Sequence, residues 1–183
     1  MNYIVVDIEA TCWEGAEGKK NVSEVIEIGA VKVNEQLEIV GEFDMFIRPE
    51  INPVLSPFCK KLTTIKQSDV DSAEIFTKVL PKFMDWITDN GTTDFWLCSW
   101  GFYDRKMLNS MCQYHRKATA WLKWHISVKH QFGDIMDMKA CGMPSAMYML
   151  QLEQTGTHHR GIDDAKNIAK IFVKIFDKLK FKR

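Results

Sequence analysis

The sequence predicts an α/β fold, and three observations predict it. Three strand-like apolar runs joined by short connections precede Arg48, an aromatic strand-like run at 94–100 leads at once into helical spacing, and strand and helix then alternate. The first group reads as an antiparallel meander, the remainder as α/β. At 183 residues, with 46% hydrophobic and 26% charged content, the chain fits one domain, 1–183, large enough to bury a core. No repeat, low-complexity tract or linker argues for a second one.

Each element has its own signal. Tyr3 to Thr11 is free of Gly and Pro and rich in β-branched residues, as a buried strand should be. A polar loop, Cys12 to Ser23, precedes strands at Val25–Val33 and Glu38–Ile47, with Arg48-Pro49 closing the third. Phe58 and Leu62 fall at i and i+4 in a short helix over 57–62. A longer helix is expected from about Ser72, an acceptable N-cap, to Ile87, with Pro81 kinking it or marking its true first turn. After the strand at Asp94–Trp100 come a helix over Tyr103–His115, a short strand over Trp124–Val128, and helices over Gly133–Ala140, Ser145–Gln154 and Asp163 to about Leu179. The basic tail, about 178–183, is expected to fray.

Charge and cysteine usage exclude several classes. Twenty-four basic and twenty-four acidic residues cancel, so no global field marks a non-specific duplex binder. Five cysteines without a C-x-x-C pair disfavour a disulfide framework and a structural zinc site, and fit reduced thiols. Without a signal-like segment or an apolar stretch near ~20 residues, the chain reads as a cytoplasmic protein with no membrane partner.

The first strand carries an anomaly, two acids two residues apart. Side chains alternate along a strand, so Asp7 and Glu9 share a face, their Cα atoms roughly 6–7 Å apart. Either they end an edge strand in solvent, or they crowd so that one binds a proton or a cation sits between them. Such a pair supplies the hard oxygen ligands that Mg²⁺ or Mn²⁺ prefers.

Helical spacing finds the matching acids. From Asp104, the positions at +3, +4, +7 and +8 are Met107, Leu108, Met111 and Cys112, so this acid lies on the buried edge, with Arg105 and Lys106 toward solvent. From Asp164, positions +4, +7, +8 and +11 are Ile168, Ile171, Phe172 and Ile175. From Asp163 the corresponding face is Lys166, Asn167, Lys170 and Lys174, so Asp163 is the solvated acid and Asp164 the inward one. His159, in the loop five residues before Asp164, is a candidate general base. His115, His125 and His130 have no partner acid in register and read as structural or surface residues.

Asp7-Ile8-Glu9, then Asp104 on the first turn of a helix, then His159 five residues before Asp164, resemble the three motifs of the DEDDh 3′→5′ exonucleases, whose fold is ribonuclease H-like. D-I-E-A-T-C at 7–12, V-I-E-I-G-A-V at 25–31, R-P-E-I-N-P at 48–53, Leu55 to Cys59 and D-D-A-K-N-I-A at 163–169 are similar to the Eri1-like branch of histone-mRNA and small-RNA exonucleases and its bacterial relatives. Thr64 stands where that branch has Gly, and Tyr103 where it often has Trp.

The resemblance implies a mixed five-stranded sheet, the meander plus parallel strands, flanked by helices. It implies hydrolysis supported by two divalent cations, Mg²⁺ or Mn²⁺, with Asp7, Glu9, Asp104 and Asp164 as ligands and His159 taking the proton from water. The partners implied are single-stranded RNA or DNA 3′ ends, RNA first, with a nucleoside monophosphate as product; a DNA-trimming or proofreading exonuclease and a catalytically silent binding module are the rivals. Ala10, Thr11, Phe58, Leu62 and Tyr103 are the candidate substrate-binding residues, with Phe58 and Leu62 otherwise plain core. Arg116, Lys117, Lys123 and Lys129 either guide the strand backbone or form a solvated face.

Overall fold

The computed structural model describes residues 1–91 and 93–181. Five strands, β1 (Asn2–Ala10), β2 (Val25–Val33), β3 (Ile39–Phe46), β4 (Phe95–Ser99) and β5 (His125–Ser127), form one sheet in the order β3-β2-β1-β4-β5. β1, β2 and β3 pair antiparallel, as the short connections predict, and β4 and β5 add in parallel beyond β1. Parallel pairing requires a crossover, supplied by α1 (Pro57–Thr63), α2 (Gln67–Asp71) and α3 (Phe76–Ile87) before β4 and by α4 (Tyr103–Tyr114) before β5. Three more helices follow, α5 (Val128–Ile135), α6 (Met143–Met149) and α7 (Gly161–Ile175). None of the helices in the described residues is long and apolar enough to cross a membrane.

The period-two alternation of β1 decides which layer each side chain joins. Ile4, Val6, Ile8 and Ala10 pack with Val79, Phe83, Leu108 and Met111 of α3 and α4. Val5 joins the opposite layer with Met143 and Met147 of α6 and Ile168, Ile171 and Phe172 of α7. Asp7 and Glu9 have the parity of Val5, so the strand aims both toward the α7 layer.

Several boundaries differ from the sequence expectation. Ser72 does not begin a helix; it caps the C-terminus of α2, a helix absent from the sequence reading, and α3 starts at Phe76 with Pro81 inside it rather than in its first turn. The helix expected over 133–140 is α5, which starts five residues earlier because β5 feeds into it at Val128 with no loop between. The helix expected at 145–154 starts at Met143 and ends at Met149. The loop after β1 contains a 3₁₀ turn, Gly15–Lys19. The expected fraying of the tail is overturned as far as residue 181: Phe181 packs on Tyr3, Trp96 and Phe176, and Lys180 exchanges hydrogen bonds with the Gln131 side chain. Lys182 and Arg183 lie outside the described residues.

One contact sets where α7 enters the site. Gly161, the first residue of the helix, lies against the backbone of β1 and β2 so closely that a Cβ at Gly29 would stand 2.0 Å from the Gly161 carbonyl carbon. Glu27, fully buried on β2, accepts hydrogen bonds from Gly161 N at 3.1 Å and from the Arg160 guanidinium at 3.3–3.4 Å. Arg160 in turn lies over the Phe46 ring at 5.1 Å. Burial holds the Glu27 carboxyl above its ordinary value, and Arg160 opposes that rise.

Gly29→Ala should therefore cost at least the ~1–3 kcal/mol of an overpacked core, read as a lowered denaturation midpoint, since only backbone can move aside. Arg160→Met should cost about 3 kcal/mol or more by leaving Glu27 buried without its cation. That deficit should grow as pH rises above ~4.3, where the unfolded carboxyl ionises while the folded one resists. A denaturation series of this variant from acid to neutral pH checks both size and sign.

Candidate active site

The site is built where the two helical layers meet the C-terminal half of β1. Asp7 and Glu9 come from the strand, Asp164 from the first turn of α7, and their carboxylate oxygens lie within 4.8 Å of one another. Asp104, buried in the first turn of α4, reaches the same place from the opposite layer, its Oδ1 accepting from Ile8 N at 3.2 Å between the two strand acids. A cavity of about 420 Å³ is lined by all four carboxylates together with Tyr103, His158 and His159. The sorting of acids by helical face thus selects those that converge, and the strand acids are not a solvated strand end.

The electrostatics of this cluster ask for a cation. Burial first, and then the neighbouring acids, push Asp7 well above the carboxylate range and Glu9 up to about 9. Burial also raises Asp104, to about 6, against the hydrogen bonds that favour its charge. Asp104 and Asp164 have donors inside the protein. The side chains of Asp7 and Glu9 have no hydrogen bond or ion pair among the described residues. Two crowded, partnerless carboxylates with a third alongside form a hard-oxygen donor set that fits a divalent cation of the Mg²⁺ or Mn²⁺ class.

The loop before α7 adds a contact that the sequence reading did not foresee. His158, given no role from sequence, places Nδ1 3.0 Å from both oxygens of Asp164. His159 donates only its backbone N–H to Asp164, at 2.9 Å, and that bond holds the residue in the left-handed region, φ 65°. The two imidazoles stack, centroids 4.0 Å apart. The His159 ring therefore makes no hydrogen bond to the acid, and it lines both the acid cavity and a neighbouring one of about 560 Å³. Burial first, then the adjacent His158, lower its pKa, so its ring is neutral and able to accept a proton at neutral pH.

The second cavity contains Phe58 and Leu62 with Glu14, Pro57 and Lys61. Phe58 is half-buried and Leu62 is 36% exposed, so neither is plain core. Tyr103 is exposed on the wall of the acid cavity. Ala10 and Thr11 line neither cavity: the Thr11 hydroxyl accepts from Glu24 N at 2.8 Å, and the Ala10 carbonyl accepts from the Cys59 thiol at 3.7 Å.

Sequence reasoning missed the supports of this site. Glu24 is buried and gathers the backbone N–H groups of Glu50, Ile51 and Asn52 around its carboxylate at 2.7–3.0 Å. Asn167, expected on the solvated face of α7, is fully buried and bonds Thr155 through both ends of its amide. Among the histidines expected to lack an acid partner, His115 has one, Glu50 at 3.7 Å. Of the basic residues 116, 117, 123 and 129, only Lys129 lines the acid cavity.

Comparison with known proteins agrees with the motif pattern. A family model described as exonuclease, RNase_T, matches residues 4–172. The 3'-5' exoribonuclease 1 of Homo sapiens is 37% identical over 179 residues, covering 93% of this chain and 51% of that protein. The ERI1 exoribonuclease 3 of Homo sapiens is 34% identical over 179 residues, covering 92% and 52%. The chain thus spans about half the length of the curated relatives it matches. Among solved structures, the nuclease domain of 3'hExo, described as a DEDDh family member bound to rAMP, superposes with a TM-score of 0.92 at 33% identity, over 100% of this chain and 96% of that one. Exonuclease I, at 8% identity and a TM-score of 0.76 over 96% of this chain and 41% of that one, shares the fold. The architecture is ribonuclease H-like, and exonucleases of the DEDDh type depend on divalent metal. With the family model spanning 4–172 and the four acids and His159 brought to one cavity, the chain belongs to the RNase_T exonuclease family, in its DEDDh group, and is similar there to the Eri1-like exoribonucleases.

Proposed function

We propose that this chain is a metal-dependent 3′→5′ exonuclease that removes nucleoside 5′-monophosphates one at a time from single-stranded or 3′-overhanging RNA. The observation that carries the reading is the convergence of Asp7, Glu9 and Asp164 within 4.8 Å, beside a neutral His159 that also faces an apolar cavity of nucleoside size. The relatives support RNA: two are named exoribonucleases, and the 3'hExo nuclease domain is described as bound to rAMP.

Each residue has a part in the chemistry. Asp7, Glu9 and Asp164 would hold a divalent cation, with Asp7 shared by a second and Asp104 completing the acid set. Such cations, when bound, polarise the phosphodiester and stabilise charge on both the entering and the departing oxygen. His159 takes a proton from the attacking water. The new bond joins that oxygen to phosphorus while the bond from phosphorus to the 3′ oxygen of the preceding nucleotide breaks, leaving a 3′-hydroxyl on the shortened chain and a 5′-phosphate on the released nucleoside. His158 holds Asp164 through Nδ1, and the backbone N–H of His159 holds it from the other side. Phe58 and Leu62 offer the terminal base an apolar contact, worth ~1–3 kcal/mol for a stacked base.

Asp7→Asn should abolish Mn²⁺-dependent release of 5′-mononucleotides from a single-stranded oligoribonucleotide while leaving the fold intact, and wild-type protein inert with both Mg²⁺ and Mn²⁺ would overturn the reading. A matched oligodeoxyribonucleotide degraded faster than the RNA would overturn the choice of RNA. Because burial and the neighbouring acids push Glu9 up to about 9 and raise Asp7 as well, cation binding must displace a proton from this pair, so Mn²⁺ affinity measured by calorimetry should rise with pH between 6 and about 9. The acid limb of kcat should fall below ~6.5, the ordinary histidine value, as His159 gains its proton there, and His159→Gln should remove that limb with the residual activity.

A further inference from the structure

The acid cavity has a wall that the chemistry above does not use. It is formed by Trp100, at the end of β4, and Lys129, in the first turn of α5, with the chain from Gly142 to Pro144 beside them. Among the described residues Lys129 is the only lysine or arginine lining this cavity, and it shares it with four carboxylates. Among the described residues its ammonium has no hydrogen bond or ion pair to any of them. The wall is nevertheless fixed: Lys129 N donates to Trp100 O at 2.8 Å, and the Trp100 indole N–H donates to Cys141 O at 3.2 Å. A rigid indole beside an unpaired cation is a platform for a base together with a partner for a phosphate.

The way the two cavities share their lining bears on which nucleotide this wall takes. The Phe58 and Leu62 cavity and the acid cavity meet at His159. A strand whose terminal nucleoside lies against Phe58 and Leu62 has its scissile phosphate at the acids, and the remaining lining of the acid cavity, which includes Trp100 and Lys129 and none of the Phe58 pocket, is left for the next nucleotide. We infer, resting on the exonuclease reading above, that Trp100 and Lys129 form a subsite for the nucleotide 5′ of the scissile bond, Trp100 bearing its base and Lys129 its phosphate. The substrate is then an end with two unpaired nucleotides, and the energy of the second contact serves cleavage of oligonucleotides rather than of isolated phosphodiesters.

Two substrates test this on the folded protein with Mn²⁺. One is a short single-stranded oligoribonucleotide; the other is the p-nitrophenyl ester of a nucleoside 5′-monophosphate, which has a scissile phosphate and no nucleotide beyond it. Lys129→Ala should raise KM for the oligonucleotide about tenfold or more, the loss of one charge-assisted contact, and leave kcat/KM for the aryl ester unchanged. It should also reduce the slope of log KM against log salt by about 0.7, one phosphate contact on a single strand, while Lys129→Arg retains both values. Trp100→Leu should raise the oligonucleotide KM with the salt slope unaltered. An unchanged oligonucleotide KM in Lys129→Ala, or an equal loss on both substrates, overturns the subsite while the exonuclease reading stands. Wild-type protein inert on both substrates overturns that reading and the subsite with it.

Discussion

Like charge in a buried place is the constraint on which this molecule depends. Five acids, Asp7, Glu9, Glu27, Asp104 and Asp164, gather around the C-terminal half of β1 and its neighbour β2, where burial, as the largest cause, raises Asp7, Glu9, Glu27 and Asp104 above their ordinary values. The fold treats them unequally. Glu27 is neutralised by Arg160 and the Gly161 N–H, Asp104 is tied to Ile8 N, and Asp164 is held by His158 and the His159 N–H. Asp7 and Glu9 alone in this set have no partner within the described chain, so the unmet negative charge is concentrated at the two positions where a cation can collect it.

This arrangement also explains why the acids come from both layers. A strand presents alternate residues to opposite faces, so β1 can aim Asp7 and Glu9 only toward α7. Asp104 arrives on α4, from the other layer, and can join them only near the end of the sheet, where its Oδ1 reaches Ile8 N. The parallel pairing of β1 with β4 places the start of α4 at that end, since the chain leaves β4 in the same direction in which it leaves the strand acids. Antiparallel pairing at this step would deliver α4 to the far edge.

What was legible in the sequence follows from which regularities are local. Periodicity of two in β1 and of 3.6 in α4 and α7 separates inward acids from solvated ones, and Asp7, Glu9, Asp104 and Asp164 do converge. Residues whose role depends on a distant partner were not legible. Glu27 sits in an apolar run where one acid looks like any other, and only the antiparallel register that sets Glu27 across from Glu9, with Arg160 arriving 133 residues later, gives it a function. Asn167 has the spacing of a surface residue and is buried because the chain at Thr155 folds over it. The start of α5 was missed because a three-residue strand passes into the helix without the loop composition that marks a boundary.

The division between His158 and His159 shows how a local backbone state determines which of two like residues can do chemistry. Sequence spacing alone offers either histidine to Asp164. The left-handed φ at His159 turns its N–H, rather than its ring, toward the carboxylate, and His158 takes the acid with Nδ1 instead. The His159 ring, stacked on that imidazole and partly buried, makes no hydrogen bond to the acid, and burial and the neighbouring imidazole outweigh the pull of Asp164 and lower its pKa. The clasp of Glu27 on Arg160 and Gly161 fixes the peptides that follow His159, so the loop cannot exchange the two histidines without breaking a buried ion pair. The constraint that crowds the acids is thus the same one that, through Glu27 and Arg160, keeps the His159 ring beside them.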